Sequence, residues 1–161
     1  MASTSSTDEY LRLDRQICFS LNAASRAFGG VYRVLLKDLG LTYPQYLVML
    51  VLWEAADTEG PVPVKRLGER LRLDSGTLSP LLKRLEANGL VHRERSATDE
   101  RSVTIALTDA GASLKTAAAE VPRQIAAATD FDLEEIETLR VQLEKLTSAL
   151  DGWAGSSPAG D

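Results

Sequence analysis

Apolar residues recur along most of this chain in steps of three and four, and over one short stretch in steps of two. From Glu9 to Phe28, the residues Leu13, Ile17, Leu21, Ala24 and Phe28 keep the period of a helix with one apolar face. Gly29-Gly30 is expected to weaken or bend that helix. The pattern resumes over Val31–Leu39, and Gly40 is placed to end it. Thr42-x-x-Gln45, with Pro44 in the first turn, predicts a capped new start. The run from Tyr46 to Ala56 is apolar nearly all round, which predicts a helix at the centre of the core, and Asp57–Pro61 stops it. Pro63–Leu71 reads as a short helix with Val64, Leu67 and Leu71 inward. A turn follows, and Asp74 or Ser75 can cap the next helix, which ends at Gly89 in the position that favours a left-handed residue. Pro80 lies inside that helix and costs it a backbone bond unless it falls in the first turns, so the pattern leaves the start open.

The period then changes to two. Val103, Ile105 and Leu107 alternate with Thr104 and Ala106, and after the run Val91–Arg95 they predict a β-hairpin with a charged tip over 96–102. Thr108-Asp109-Ala110-Gly111 opens an Ala-rich helix reaching Ala128, with Pro122 as a kink. Asp132-x-x-Glu135 starts a last helix with Leu133, Ile136, Leu139, Leu143, Leu146 and Leu150 on a ladder. A hairpin directly after the second helix of a helix–turn–helix is the winged-helix order. The expected fold is therefore mainly α, a winged helix–turn–helix with long N- and C-terminal helices. The segments are a disordered 1–8, N-terminal helices 9–60 for sensing and dimerisation, a DNA-binding winged helix–turn–helix 61–110, C-terminal dimerisation helices 111–152, and a disordered tail 153–161.

Composition narrows the function. The 161 residues are 44% apolar and 25% charged, an ordinary soluble profile. No apolar run approaches the ~20 residues that span a bilayer, and the N-terminus lacks the pattern of a signal peptide, so a cytoplasmic protein is expected. A single cysteine excludes an intrachain disulfide scaffold, and with a single histidine it argues against zinc. No cofactor is expected. The net charge of −5 argues against nucleic acid until its distribution is considered: residues 65–101 carry nine basic and six acidic residues, and the remainder nine and seventeen. Phosphate responds to the local field rather than the total.

Within that basic stretch, Ser75, Gly76, Thr77 and Ser79 supply the small, hydrogen-bonding start that a helix needs in the major groove. Lys83 and Arg84 can reach phosphates. The hairpin adds Arg93, Arg95, Asp99 and Arg101; an arginine at its tip suits a narrow minor groove, and Asp99 is placed to hold the Arg101 guanidinium.

The stretch from Leu73 to Gly111, with Asp99-x-Arg101 and Leu107-Thr108-x-x-Gly111, resembles the DNA-binding core of the multiple-antibiotic-resistance regulator (MarR) family. That resemblance implies a homodimer on a pseudo-palindromic double-stranded operator, its N- and C-terminal helices intertwined.

A lone thiol on the apolar side of a helix also fits inert core packing. Arg12 and Arg15 on nearby turns favour a thiolate, and Tyr32 and Tyr43 are phenols able to donate to sulfur. Cys18-Phe19, Tyr32-x-x-Leu35-Leu36, Thr42–Leu47 and Leu52-Trp53-Glu54 closely resemble the organic hydroperoxide resistance regulators of the same family. The resemblance implies that Cys18 is the peroxide sensor, with Tyr32 and Tyr43 donating to it from the opposite subunit. Tyr46 and Trp53 are expected in the core. The chain has no second cysteine to resolve the oxidised thiol, so oxidised Cys18 is expected to form a mixed disulfide with a low-molecular-weight cellular thiol, to close a cyclic sulfenamide, or to overoxidise to sulfinic or sulfonic acid. Three rivals stand beside this reading: a repressor released by a small aromatic ligand, a thiol peroxidase, and an interaction module that binds no DNA.

Overall fold

The computed structural model describes residues 9–96, 98, 99 and 101–156. Its helices are α1 (Ile17–Leu35), α2 (Tyr43–Ala56), α3 (Val64–Leu71), α4 (Ser75–Ala87), α5 (Asp109–Ala118), α6 (Val121–Thr129) and α7 (Leu133–Ser156), and its strands are β1 (Val62–Pro63), β2 (Val91–Arg95) and β3 (Val103–Leu107). Contacts divide the chain into two units, one running to Val121 and the other from Pro122 on. Helix α5 packs against α2 and β3 in the first unit.

In the first unit, α1 begins at Ile17 rather than Glu9, after a 3-10 turn over Leu13–Arg15. It runs through Gly29-Gly30 without a break; the two glycines lower propensity by ~1 kcal/mol each without interrupting the ladder. None of its residues is buried within the single chain, and Ile17, Phe19, Phe28 and Val34 stand exposed. A short 3-10 turn, Lys37–Leu39, then closes at Gly40 with φ +65°.

The capping box at Thr42 is formed. Its hydroxyl accepts the Gln45 backbone amide at 3.4 Å, and its own amide donates to the Gln45 side-chain Oε1 at 3.0 Å. From there α2 buries Tyr46, Val48, Met49, Val51, Leu52, Trp53 and Ala55, as its all-round apolar pattern predicts. Each large side chain contributes ~1.5–3 kcal/mol by leaving water, so α2 is the main source of core stabilisation. Against it pack α3, through fully buried Leu67, and α4, through Leu78, Leu82 and Leu85.

Asp74, not Ser75, caps α4, accepting the Thr77 amide at 2.7 Å. Pro80 is the sixth residue of this helix, beyond its first turn. The helix ends as expected: Gly89 takes φ +71°, and the Leu90 amide bonds back to the Leu85 carbonyl at 3.0 Å.

The hairpin pairs Val91 with Leu107 through Arg95 with Val103, antiparallel. A third strand joins it, β1 pairing with β3 at Val62 and Ile105, so the order is β1-β3-β2. A two-residue strand is too short to show a period. Central β3 is covered at consecutive Thr104 and Ile105, while Val103 is exposed; the alternation expected from the sequence fails at that end. Thr104 meets burial by donating its hydroxyl to the Glu94 carbonyl at 3.4 Å.

In the second unit, the helix expected to reach Ala128 is interrupted before Pro122, which sits at the second position of α6, where a missing amide costs nothing. Asp132 and Glu135 form the expected reciprocal cap, at 2.9 and 2.8 Å. Helix α7 runs through Trp153 to Ser156, which corrects the expectation of a disordered tail for 153–156; residues 1–8 and 157–161 lie outside the described residues. Leu133, Leu139, Leu143, Leu150 and Trp153 are exposed along α7. No helix among the described residues is long and apolar enough to cross a membrane.

Candidate functional site

Helix α4 turns Leu78, Leu82 and Leu85 inward, so the 3.6-residue period places Gly76, Ser79 and Lys83 on the opposite face, with Arg84 and Thr77 at its flank. These residues and Ser75 are all exposed. Hydrogen bonds from the Thr77 amide and hydroxyl hold the Asp74 carboxyl below its ordinary range, so the cap stays charged at the start of this face. No carboxylate among the described residues pairs with Lys83 or Arg84, and both keep their charge for a ligand.

The wing arginines divide into two kinds. The Arg93 amide donates to Glu86 Oε1 at 3.3 Å, and its Nε lies 3.3 Å from Glu86 Oε2. Arg93 therefore clasps β2 to α4 instead of standing free for phosphate, and Glu86 is a contributor that sequence reading missed. Among the described residues, Arg95 and Arg101 have no such partner. Asp99 does not hold the Arg101 guanidinium as expected; its carboxylate accepts the Arg101 backbone amide at 3.0 Å. With Ser96 to Ser102 and Ser102 to Asp99 amide–carbonyl bonds, both 2.9 Å, Asp99 shapes the wing tip.

The wing base is locked to the core by Leu107-Thr108-x-x-Gly111. The Thr108 hydroxyl donates to the Gly89 carbonyl at 2.6 Å and accepts the Gly111 amide at 3.1 Å, while the Thr108 amide donates to the Leu90 carbonyl at 3.1 Å. A Cβ at Gly111 would lie 1.9 Å from the Leu90 carbonyl oxygen, so only glycine fits. Trp53 Nε1 donates to the Gly111 carbonyl at 2.8 Å from a buried position. Tyr46 and Trp53 are core residues, as expected.

Cys18 is the second residue of α1 and is exposed. The two arginines expected to favour its thiolate are committed elsewhere: Arg12 to Asp14 at 3.0 and 2.9 Å, Arg15 to Glu9 at 3.1 Å. Its setting is instead the first turn of a helix whose cap residue, Gln16, makes no side-chain cap bond. Amides at such a start are the positive end of the helix dipole.

The phenols gather at the other end of α1. The Tyr32 ring lies 4.6 Å from that of Tyr43 and 5.8 Å from that of Tyr46, and Tyr46 meets Trp53 edge-on at 6.4 Å. Burial, helped by the neighbouring Tyr43 and Tyr46 phenols, pushes the Tyr32 hydroxyl up to about 12, and burial raises Tyr46 as well. Tyr32 is thus a committed donor at any physiological pH. Fourteen residues of one helix separate Cys18 from Tyr32, about 21 Å at 1.5 Å per residue. One chain does not bring the thiol and that phenol together.

Residues 30–118 match the family described as transcriptional regulator SarA/Rot. The HTH-type transcriptional regulator TtmR of Methylorubrum extorquens (strain PA1) is 48% identical over 155 residues, 96% of this chain and 77% of that one. An organic hydroperoxide resistance transcriptional regulator of Bacillus subtilis (strain 168) is 44% identical over 142 residues, 88% of this chain and 94% of that one. Reduced AbfR bound to DNA, from a protein of Staphylococcus epidermidis, shares the fold with a TM-score of 0.74 at 39% identity, over 92% of this chain and 99% of that chain.

Proposed function

Because this chain belongs to the MarR and SarA/Rot group of winged-helix transcriptional regulators, we propose that it represses transcription from an operator and senses organic hydroperoxides through oxidation of Cys18. The observation that carries this reading is the pairing of an exposed thiol at the start of α1 with a cluster of phenols at its far end, in a chain 44% identical to the Bacillus subtilis regulator.

Two copies meet through the apolar face of α1 and the ladder of α7. The second copy's α1 then lies beside the first, and Tyr32 and Tyr43 of one chain donate to the sulfur of the other. The thiolate attacks the distal oxygen of the hydroperoxide. The O–O bond breaks, the alkoxide leaves and takes a proton, and Cys18 becomes a sulfenic acid. A low-molecular-weight thiol then condenses with it, releasing water and leaving a mixed disulfide. The added group separates the phenols from the sulfur, the subunits shift, and the two α4 helices lose the half-site spacing of ~34 Å that a duplex turn requires. A ~100-fold loss of affinity needs only ~2.7 kcal/mol of coupling. The operon released by this step encodes a peroxide-detoxifying activity.

On DNA from upstream of its own gene, Lys83, Arg84 and Arg95 meet phosphate, Arg101 at the wing tip enters the narrow minor groove, and Ser75, Gly76, Thr77 and Ser79 lie along base edges. The test is fluorescence anisotropy at fixed salt, since phosphate contacts make affinity steeply salt-dependent. Wild type dissociates after cumene hydroperoxide with a small thiol present, and Cys18→Ser binds equally well and stays bound. Normal release of Cys18→Ser would overturn the assignment.

A further inference from the structure

Between the phenol cluster and the base of the wing runs a line of side chains that sensing and DNA contact leave unused. The Tyr32 ring touches that of Tyr46, Tyr46 meets Trp53 edge-on, and the Trp53 indole donates to the Gly111 carbonyl at 2.8 Å. Tyr46 and Trp53 are 2% and 4% exposed, with no solvent to absorb a displacement. Gly111 has no slack either, since a Cβ built there would meet the Leu90 carbonyl oxygen at 1.9 Å. Leu90 bonds back to Leu85 of α4, and the next residue begins β2. Close-packed interiors transmit strain instead of dissipating it. The contacts from the phenols to the joint between α4 and the wing are thus continuous.

We propose that Trp53 is a positioning residue: its indole N–H on the Gly111 carbonyl carries the state of the Tyr32 cluster to the α4–β2 joint and so sets the pose of recognition helix and wing together. This rests on the reading of Cys18 and Tyr32 as the sensor, so the experiment must separate the two. Spatial connection alone does not establish coupling, which a variant that uncouples the ends must show.

Full-length protein is titrated onto the upstream DNA at fixed salt with Cys18 reduced, treated with cumene hydroperoxide, or loaded directly. Loading uses an aromatic disulfide: the thiolate attacks one sulfur, a mixed disulfide with thionitrobenzoate forms, and one thionitrobenzoate anion leaves and is counted by its absorbance. Wild type loses about 100-fold in affinity on loading, whereas Trp53→Phe, which keeps a ring and loses the N–H, holds its reduced-state affinity within about 3-fold and loses less than about 10-fold on loading. Tyr46→Leu breaks the line one contact earlier and gives the same loss of response, which keeps the test alive if Trp53→Phe does not fold; thermal unfolding shows which variants fold. A purely structural role would lower reduced and loaded affinities alike, and that result, or release of both folded variants as strongly as wild type, overturns the relay while the sensor reading stands. Wild type that stays bound after both hydroperoxide and loading overturns the sensor reading, and the relay with it.

Discussion

Tyr32 stays protonated in the folded chain up to about pH 12 and in the unfolded chain only to about 10. Between those values the folded state binds more protons, so stability falls as pH rises through that window. Tyr32→Phe is expected to flatten that fall, as urea unfolding at a series of alkaline pH values will show. A phenol donating to an anionic sulfur makes a charge-assisted bond worth ~1.5–3 kcal/mol, so Tyr32→Phe with Tyr43→Phe should slow the reaction of Cys18 with hydroperoxide by at least about 10-fold. Stopped-flow kinetics on the free protein measures it. Residue types at this site were readable from the sequence, but residue partners were not. Arg12, Arg15 and Asp99 carry the charges expected of them and spend them on Asp14, Glu9 and a backbone amide, because short-range partners outcompete longer reaches.

At the scale of elements, local chemistry was legible wherever it closed on itself. The caps at Thr42 and Asp132 and the left-handed Gly89 need only their own turn, and all three formed. What the sequence concealed depends on distant partners: β1 exists only because β3 offers an edge, and Thr104 is buried because β3 is central. Glu86 was invisible for the same reason, since its partner Arg93 lies across the turn that follows α4. Three substitutions test these contacts. Gly111→Ala forces a methyl into the Leu90 carbonyl and should destabilise by about 3 kcal/mol or more, a Tm drop of ~10 °C by differential scanning calorimetry. Arg101→Ala should lower DNA affinity and reduce the salt slope by about one for each of the two wings on the operator, the signature of a lost cationic contact. Arg93→Ala should weaken binding with less change of slope, because that charge is already spent on Glu86.

For the whole molecule, two faces ask for a second copy. No residue of helix α1 is fully buried within its own chain, and α7 exposes Leu139, Leu143, Leu150 and Trp153. Apolar surface of that extent marks an interaction site. Equilibrium sedimentation should return twice the chain mass, and Ile17→Lys or Leu143→Glu should shift it toward monomer and abolish operator binding. The length of α1 then has a consequence for mixed dimers. If thiol and phenols sit at opposite ends of one helix, each sensing centre takes its sulfur from one chain and its hydroxyls from the other. A chain with Cys18→Ser is deaf alone, and a chain with Tyr32→Phe and Tyr43→Phe is slow. When the two are co-expressed, half of the dimers pair the defects in one centre and leave the other complete; isolated by a different tag on each chain, those mixed dimers should leave the operator after hydroperoxide at about the wild-type rate, which neither homodimer does.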